Sequence, residues 1–131
     1  MKNIFILFLT IAFFSCSSND DNSSNDNNLI NPPNWIQGTW LLETSPITSG
    51  FRFTSNDFCL ISSTSEICNK ETLKLYQGSQ VITNVKEKIS SGNYELSITI
   101  GSSIQTYRFE KVSSTEIRWL DIGVNAIYTK Q

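Results

Sequence analysis

The chain contains no histidine. That removes the commonest general base near neutral pH and the usual partner of a Ser or Cys nucleophile. A charge excess of either sign is lacking too: ten Lys and Arg stand against twelve Asp and Glu. Three acids (Asp20, Asp21, Asp26) fall in one polar stretch and one base is Lys2, so nine acids oppose nine bases from Leu29 onward. These charges are spread rather than clustered, whereas a nucleic-acid partner needs a basic face to displace counterions from phosphates. No Gly-rich phosphate loop and no Asp cluster with calcium spacing occurs. Glu43, Glu95 and Glu110 are the residues that could pair as acid and base in the manner of a glycosidase. Scattered Glu on a small β domain are more simply read as soluble outer strand faces, and Ser-rich runs such as Ser62-Ser63 as turns. These absences argue against an enzyme, and no cofactor or metal is expected.

What is present begins with an apolar run, Ile4 to Phe14, behind Lys2, ending in Ser15-Cys16. A positive start, an apolar core of roughly ten residues and a small-residue exit form the pattern of a cleaved export signal. A permanent span would take about 20 apolar residues, so the run is too short to be one. An ordinary signal peptide ends in an Ala-x-Ala-like site, which Phe13-Phe14-Ser15 is not. The Ser15-Cys16 exit resembles a bacterial lipobox, which implies that residues 1–15 are removed and that Cys16 is lipidated as the mature first residue. The resemblance implies two or three acyl chains, enough for stable anchoring. Asp20-Asp21 close behind Cys16 resemble the surface-export signal of lipoproteins from Bacteroidota. The expected location is therefore the cell envelope: an outer-membrane lipoprotein on the periplasmic face or the cell surface.

Residues 16–33 read as the lipidated Cys and its tether. Ser, Asn and Asp dominate and there is little to bury, so ordering would not be offset. Pro32-Pro33 stiffens the chain before a domain expected over 34–131, long enough for a single core.

Period two governs that domain. Tyr94, Leu96, Ile98 and Ile100 alternate with polar residues, as do Tyr107 and Phe109, Ile117 and Trp119, Phe51 and Phe53, and Leu73 and Leu75. Turn signals such as Ser91-Gly92-Asn93 and Gly101-Ser102-Ser103 separate these runs. Only Gln80 to Ser90 is ambiguous between helix and strand. The expectation is all-β: a small antiparallel up-and-down β-barrel of about eight strands.

Gly38-Thr39-Trp40, with Ile117-Arg118-Trp119-Leu120 and the run Ala126 to Lys130, resembles the opening and last hairpin of lipocalin-like domains. The resemblance implies that Gly38 bends the chain under the barrel floor, that Trp40 plugs that end and that Arg118 packs over its indole.

Cys59 and Cys68 flank Ser62-Ser63-Thr64-Ser65, placing them to face each other across a hairpin in an oxidising compartment. A disulfide is expected; two Cys and no His give too few soft ligands for zinc.

Two binding functions follow. In the first, the barrel holds a small apolar or amphipathic ligand, with Trp40, Phe53, Tyr107, Phe109 and Trp119 among its walls. In the second, a barrel with a packed core is a tethered module for an envelope protein partner, such as an inhibitor, immunity protein or accessory subunit. Phe58, Trp35 and Tyr76 are the aromatics that such a module would expose.

Overall fold

A computed structural model describes residues 29–42, 48–123 and 126–131. The export signal, Cys16 and most of the tether lie outside the described residues, as does Glu43. The fold is all-β. Among the described residues one antiparallel sheet holds nine strands, β1 (Gly38–Leu42), β2 (Ser49–Phe53), β3 (Phe58–Ser62), β4 (Ser65–Cys68), β5 (Thr83–Ile89), β6 (Asn93–Ile100), β7 (Ser103–Lys111), β8 (Glu116–Trp119) and β9 (Ala126–Lys130), with one helix, α1 (Asn69–Tyr76). No helix among them is long and apolar enough to cross a membrane.

The strand order β4-β3-β2-β1-β9-β8-β7-β6-β5 is two up-and-down meanders joined where β1 pairs with β9. The sheet curls into a half-barrel, with β4 and β5 as its free edges and α1 carrying the chain between them. Ambiguous Gln80 to Ser90 thus resolves largely as strand, and nine strands stand where about eight were expected.

Alternation decides the inner face. Register pairs Tyr94 with Phe109, Leu96 with Tyr107, Phe53 with Phe58 and Phe51 with Leu60, so these side chains share one side of the sheet. Phe51 sits at the centre of an aromatic cluster, its ring 4.9 Å from Phe109, 5.1 Å from Trp119 and 4.8 Å from Tyr128. Edge-to-face pairs of this kind add to the area that they bury. Gly50 is required because a Cβ there would collide with the Trp40 carbonyl across β1–β2.

Leu73 and Leu75 are not in a strand. They belong to α1, where Leu73 is 2% exposed and Leu75 81%. Residues two apart in a helix lie on different faces, so the apparent alternation was one buried and one solvated side chain. The helix has no side-chain cap at its own N-cap residue, Cys68. Instead Asp57, thirteen residues upstream of Lys70, accepts the Lys70 N–H at 2.8 Å and the Phe58 N–H at 2.7 Å. Asn69 Nδ2 donates to the Phe58 carbonyl at 2.8 Å, tying the same helix start to β3.

The folded part also begins upstream of residue 34. Ile30 is buried, and the Asn31 N–H donates to Glu87 Oε1 at 2.8 Å. Ile30 could offset the entropy of ordering this stretch because it reaches the main core.

Candidate functional site

The half-barrel has two dissimilar ends. At the first, the segment leading into β1 lies across the strands. Trp35 Nε1 donates to the Ser90 carbonyl at 3.0 Å, and Trp40 Nε1 to the Ile36 carbonyl at 2.6 Å. Ile30, Ile36 and Trp40 are almost wholly buried there, and Glu87 accepts the Tyr94 hydroxyl at 2.6 Å. Burial first, then the hydrogen bond and charge of Glu87, hold the Tyr94 phenol well above its ordinary range. Burial alone raises Tyr107 and Tyr128.

Trp40 plugs this end, and a cation does lie over its indole, but that cation is Lys130, with Nζ 5.2 Å from the ring centroid. Arg118 points the other way. It is one residue out of phase with inward Ile117, pairs across β7–β8 with Glu110 and bonds it at 2.5 Å. Its Nε is buried without a partner among the described residues. Gly38 has φ +132°, and a Cβ there would meet Lys130 Cε at 2.7 Å, so this glycine lets the lysine fold back onto Trp40.

The aromatics expected to line a ligand cavity lie in the core. Trp40, Phe53, Tyr107 and Phe109 are buried, Trp119 packs against them, and rings such as Phe58 and Tyr107 are 4.8 Å apart. Large rings on short, strongly curled strands meet across the axis, as Phe53 and Phe109 do at 5.1 Å. Phe58, expected as an exposed anchor, is fully buried; Trp35 is half-buried and Tyr76 lies at the surface.

Open space begins one layer further along the strands. A pocket of about 280 Å³ is walled by Leu60 and Ile67 of β3 and β4, Ile98 and Ile100 of β6, and Ser103 and Gln105 of β7. Register puts Leu60 opposite Ile67, Ile98 opposite Gln105 and Ile100 opposite Ser103. All six are in phase with the buried rings, so the pocket opens on the inner side of the curl at its other end, the mouth, while the packed aromatic end around Trp40 forms the floor of the half-barrel. Asn69 and Thr72 of α1 supply the remaining wall. Ile98 and Ile100 were legible as inward residues in the sequence. Leu60, Ile67, Asn69, Thr72, Ser103 and Gln105 were not, because their convergence depends on register between distant strands and on α1.

A second depression of about 270 Å³ involves Lys88, Tyr94, Glu95, Arg108, Phe109 and Leu120. Its charges are already committed: Lys88 to Glu95 at 2.8 Å and Arg108 to Asp121 at 2.7 Å. Glu95 and Glu110, considered above as a catalytic pair, are thus each held by a cation.

Cys59 and Cys68 are cross-strand partners and are joined, S–S 2.05 Å, by the expected disulfide. Asp57 lies near the two sulfurs, all within 4.8 Å of one another, but the sulfurs are bonded together and the carboxylate is occupied by backbone N–H groups. No family model, no curated protein and no solved structure matches the chain.

Proposed function

We propose that the protein is an envelope lipoprotein, anchored through Cys16, whose half-barrel binds one small apolar or amphipathic molecule in its mouth. The mouth pocket carries this reading. It is concave, mostly apolar and furnished with a few polar groups, which is the usual composition of a ligand site, with a volume just under the usual size range. Native mass spectrometry of the chain recovered from its host's envelope tests it. The expected result is an added mass of about a few hundred daltons that is lost on denaturation. A bare chain would overturn the reading. The anchor has its own test: Cys16→Ser should abolish lipid labelling, and a variant still labelled removes the lipoprotein assignment.

A second reading has one specific observation behind it. Leu75, Val81, Ile82 and Ile104 are exposed apolar residues: Leu75 on α1, Val81 and Ile82 between α1 and β5, and Ile104 on β7, with β6 between it and β5. Exposed apolar side chains of this kind suit an envelope protein partner. A stoichiometric protein in the same mass spectrum, with no small adduct, would favour this reading over the first.

A further inference from the structure

We infer that the mouth selects an uncharged ligand, one with an apolar body and an amide or hydroxy-carbonyl head, and rejects carboxylates and amines of the same shape. This deepens the proposed function and rests on the mouth being a ligand site. None of the side chains that wall the pocket is ionisable. An ionised ligand would therefore surrender its hydration without meeting a counter-charge, which costs far more than burying a neutral polar group that finds a hydrogen bond. The chain is elsewhere generous with charge pairs: Arg52–Glu66, Lys88–Glu95, Arg108–Asp121 and Arg118–Glu110 all lie outside the mouth. Its neutrality is thus local.

Two side-chain amides set the polar recognition. Asn69 is buried and spends one Nδ2 hydrogen on the Phe58 carbonyl, and its Oδ1 has no partner among the described residues. Gln105 is fixed from the opposite wall, where the Tyr107 hydroxyl donates to its Oε1 at 3.0 Å. That bond occupies the carbonyl of Gln105 and leaves Nε2 as a donor without a partner among the described residues. The mouth thus presents one acceptor and one donor from facing walls, with Leu60, Ile98 and Ile100 between them. A primary amide answers both groups at once, and its alkyl body covers the isoleucines.

Titrating the full chain in lipid nanodiscs with octanamide, octanoate and octylamine, followed through the Ile98 and Ile100 methyl resonances, tests the inference. At pH 7 octanamide should bind at least about tenfold more tightly than either ion, a difference of one order in Kd. Gln105 is exposed, so Gln105→Glu should fold normally and shift the preference toward octylamine by a similar factor. Octanoate or octylamine matching the amide on the unmodified chain would overturn the neutral selectivity while keeping the mouth as a ligand site. No response to any of the three probes would overturn the ligand site itself.

Discussion

The floor and the mouth share β3, β6 and β7, yet one end is solid and the other open. At the floor the inward positions of β1, β2, β3, β6 and β7 carry Trp40, Phe53, Phe58, Tyr94 and Phe109, and Ile30 and Ile36 are buried with them. At the mouth, inward positions further along β3, β6 and β7, beyond buried Leu96 and Tyr107, carry Leu60, Ile98, Ile100, Gln105 and Ser103, beside α1. Alternation alone is identical at the two ends. Side-chain volume and the segment that crosses the end decide which is core and which is pocket.

The largest effect that breaks this contrast is expected at the floor. Trp40→Ala deletes a fully buried indole and its bond to the Ile36 carbonyl, and takes away the surface on which Lys130 rests. The loss should be about 3–5 kcal/mol, the usual range for a buried Trp, read as a lowered midpoint in urea. The fraction that remains folded should keep the proposed mouth ligand. A loss below about 1 kcal/mol would mean that the floor is not the stabilising end.

Next comes the disulfide. Cys59 and Cys68 fasten β4, an edge strand that carries the mouth residue Ile67, to β3. Replacing both by Ser should cost roughly 2–3 kcal/mol in the chain-entropy account. Because the bridge secures the edge, it should also weaken mouth binding, which a floor substitution leaves intact. Equal ligand affinity with and without the bridge would show that β4 holds its place through backbone pairing alone.

The floor was more legible than the mouth in the sequence, for physical reasons. Gly38-Thr39-Trp40 pointed to a plugged end, and Tyr94 to Ile100 showed their phase through strict alternation. The cation over Trp40 was expected to be Arg118, yet Arg118 alternates with inward Ile117, and the β1–β9 register, which local pattern does not set, places Lys130 opposite Trp40. Helix α1 was missed because its capping carboxylate, Asp57, lies on the far side of the β3–β4 hairpin. The N-terminal signature sought in a sequence is local, and this cap is not. The aromatics named as possible cavity walls lie in the core, because the largest side chains are the ones that fill the interior of a small barrel.

A smaller effect is expected where the floor meets β5. Tyr94→Phe removes the hydroxyl that donates to Glu87, at a cost of about 1–2 kcal/mol near neutral pH. The folded phenol holds its proton well above its ordinary pKa of 10.0, chiefly through burial. Above about pH 10 the unfolded chain releases that proton while the folded chain keeps it, so stability falls as pH rises. Tyr94→Phe should make the alkaline decline shallower, with Tyr107 and Tyr128 accounting for what remains. An unchanged slope in denaturant melts between pH 9 and 11 would remove Tyr94 from the account.

The smallest change in stability should carry the largest change in binding. Ile100→Phe adds a ring at the half-buried rim of a pocket that is open rather than packed. Overpacking is costly only where neighbours are already in contact, so the urea midpoint should move by no more than about 0.5 kcal/mol equivalent. The same ring occupies part of a space of about 280 Å³, and the small-molecule adduct should disappear from the native mass spectrum. Retained adduct would place the ligand elsewhere on the molecule. A large loss of stability would mean that Ile100 is part of the solid core, and that the division between floor and mouth is drawn one layer too low.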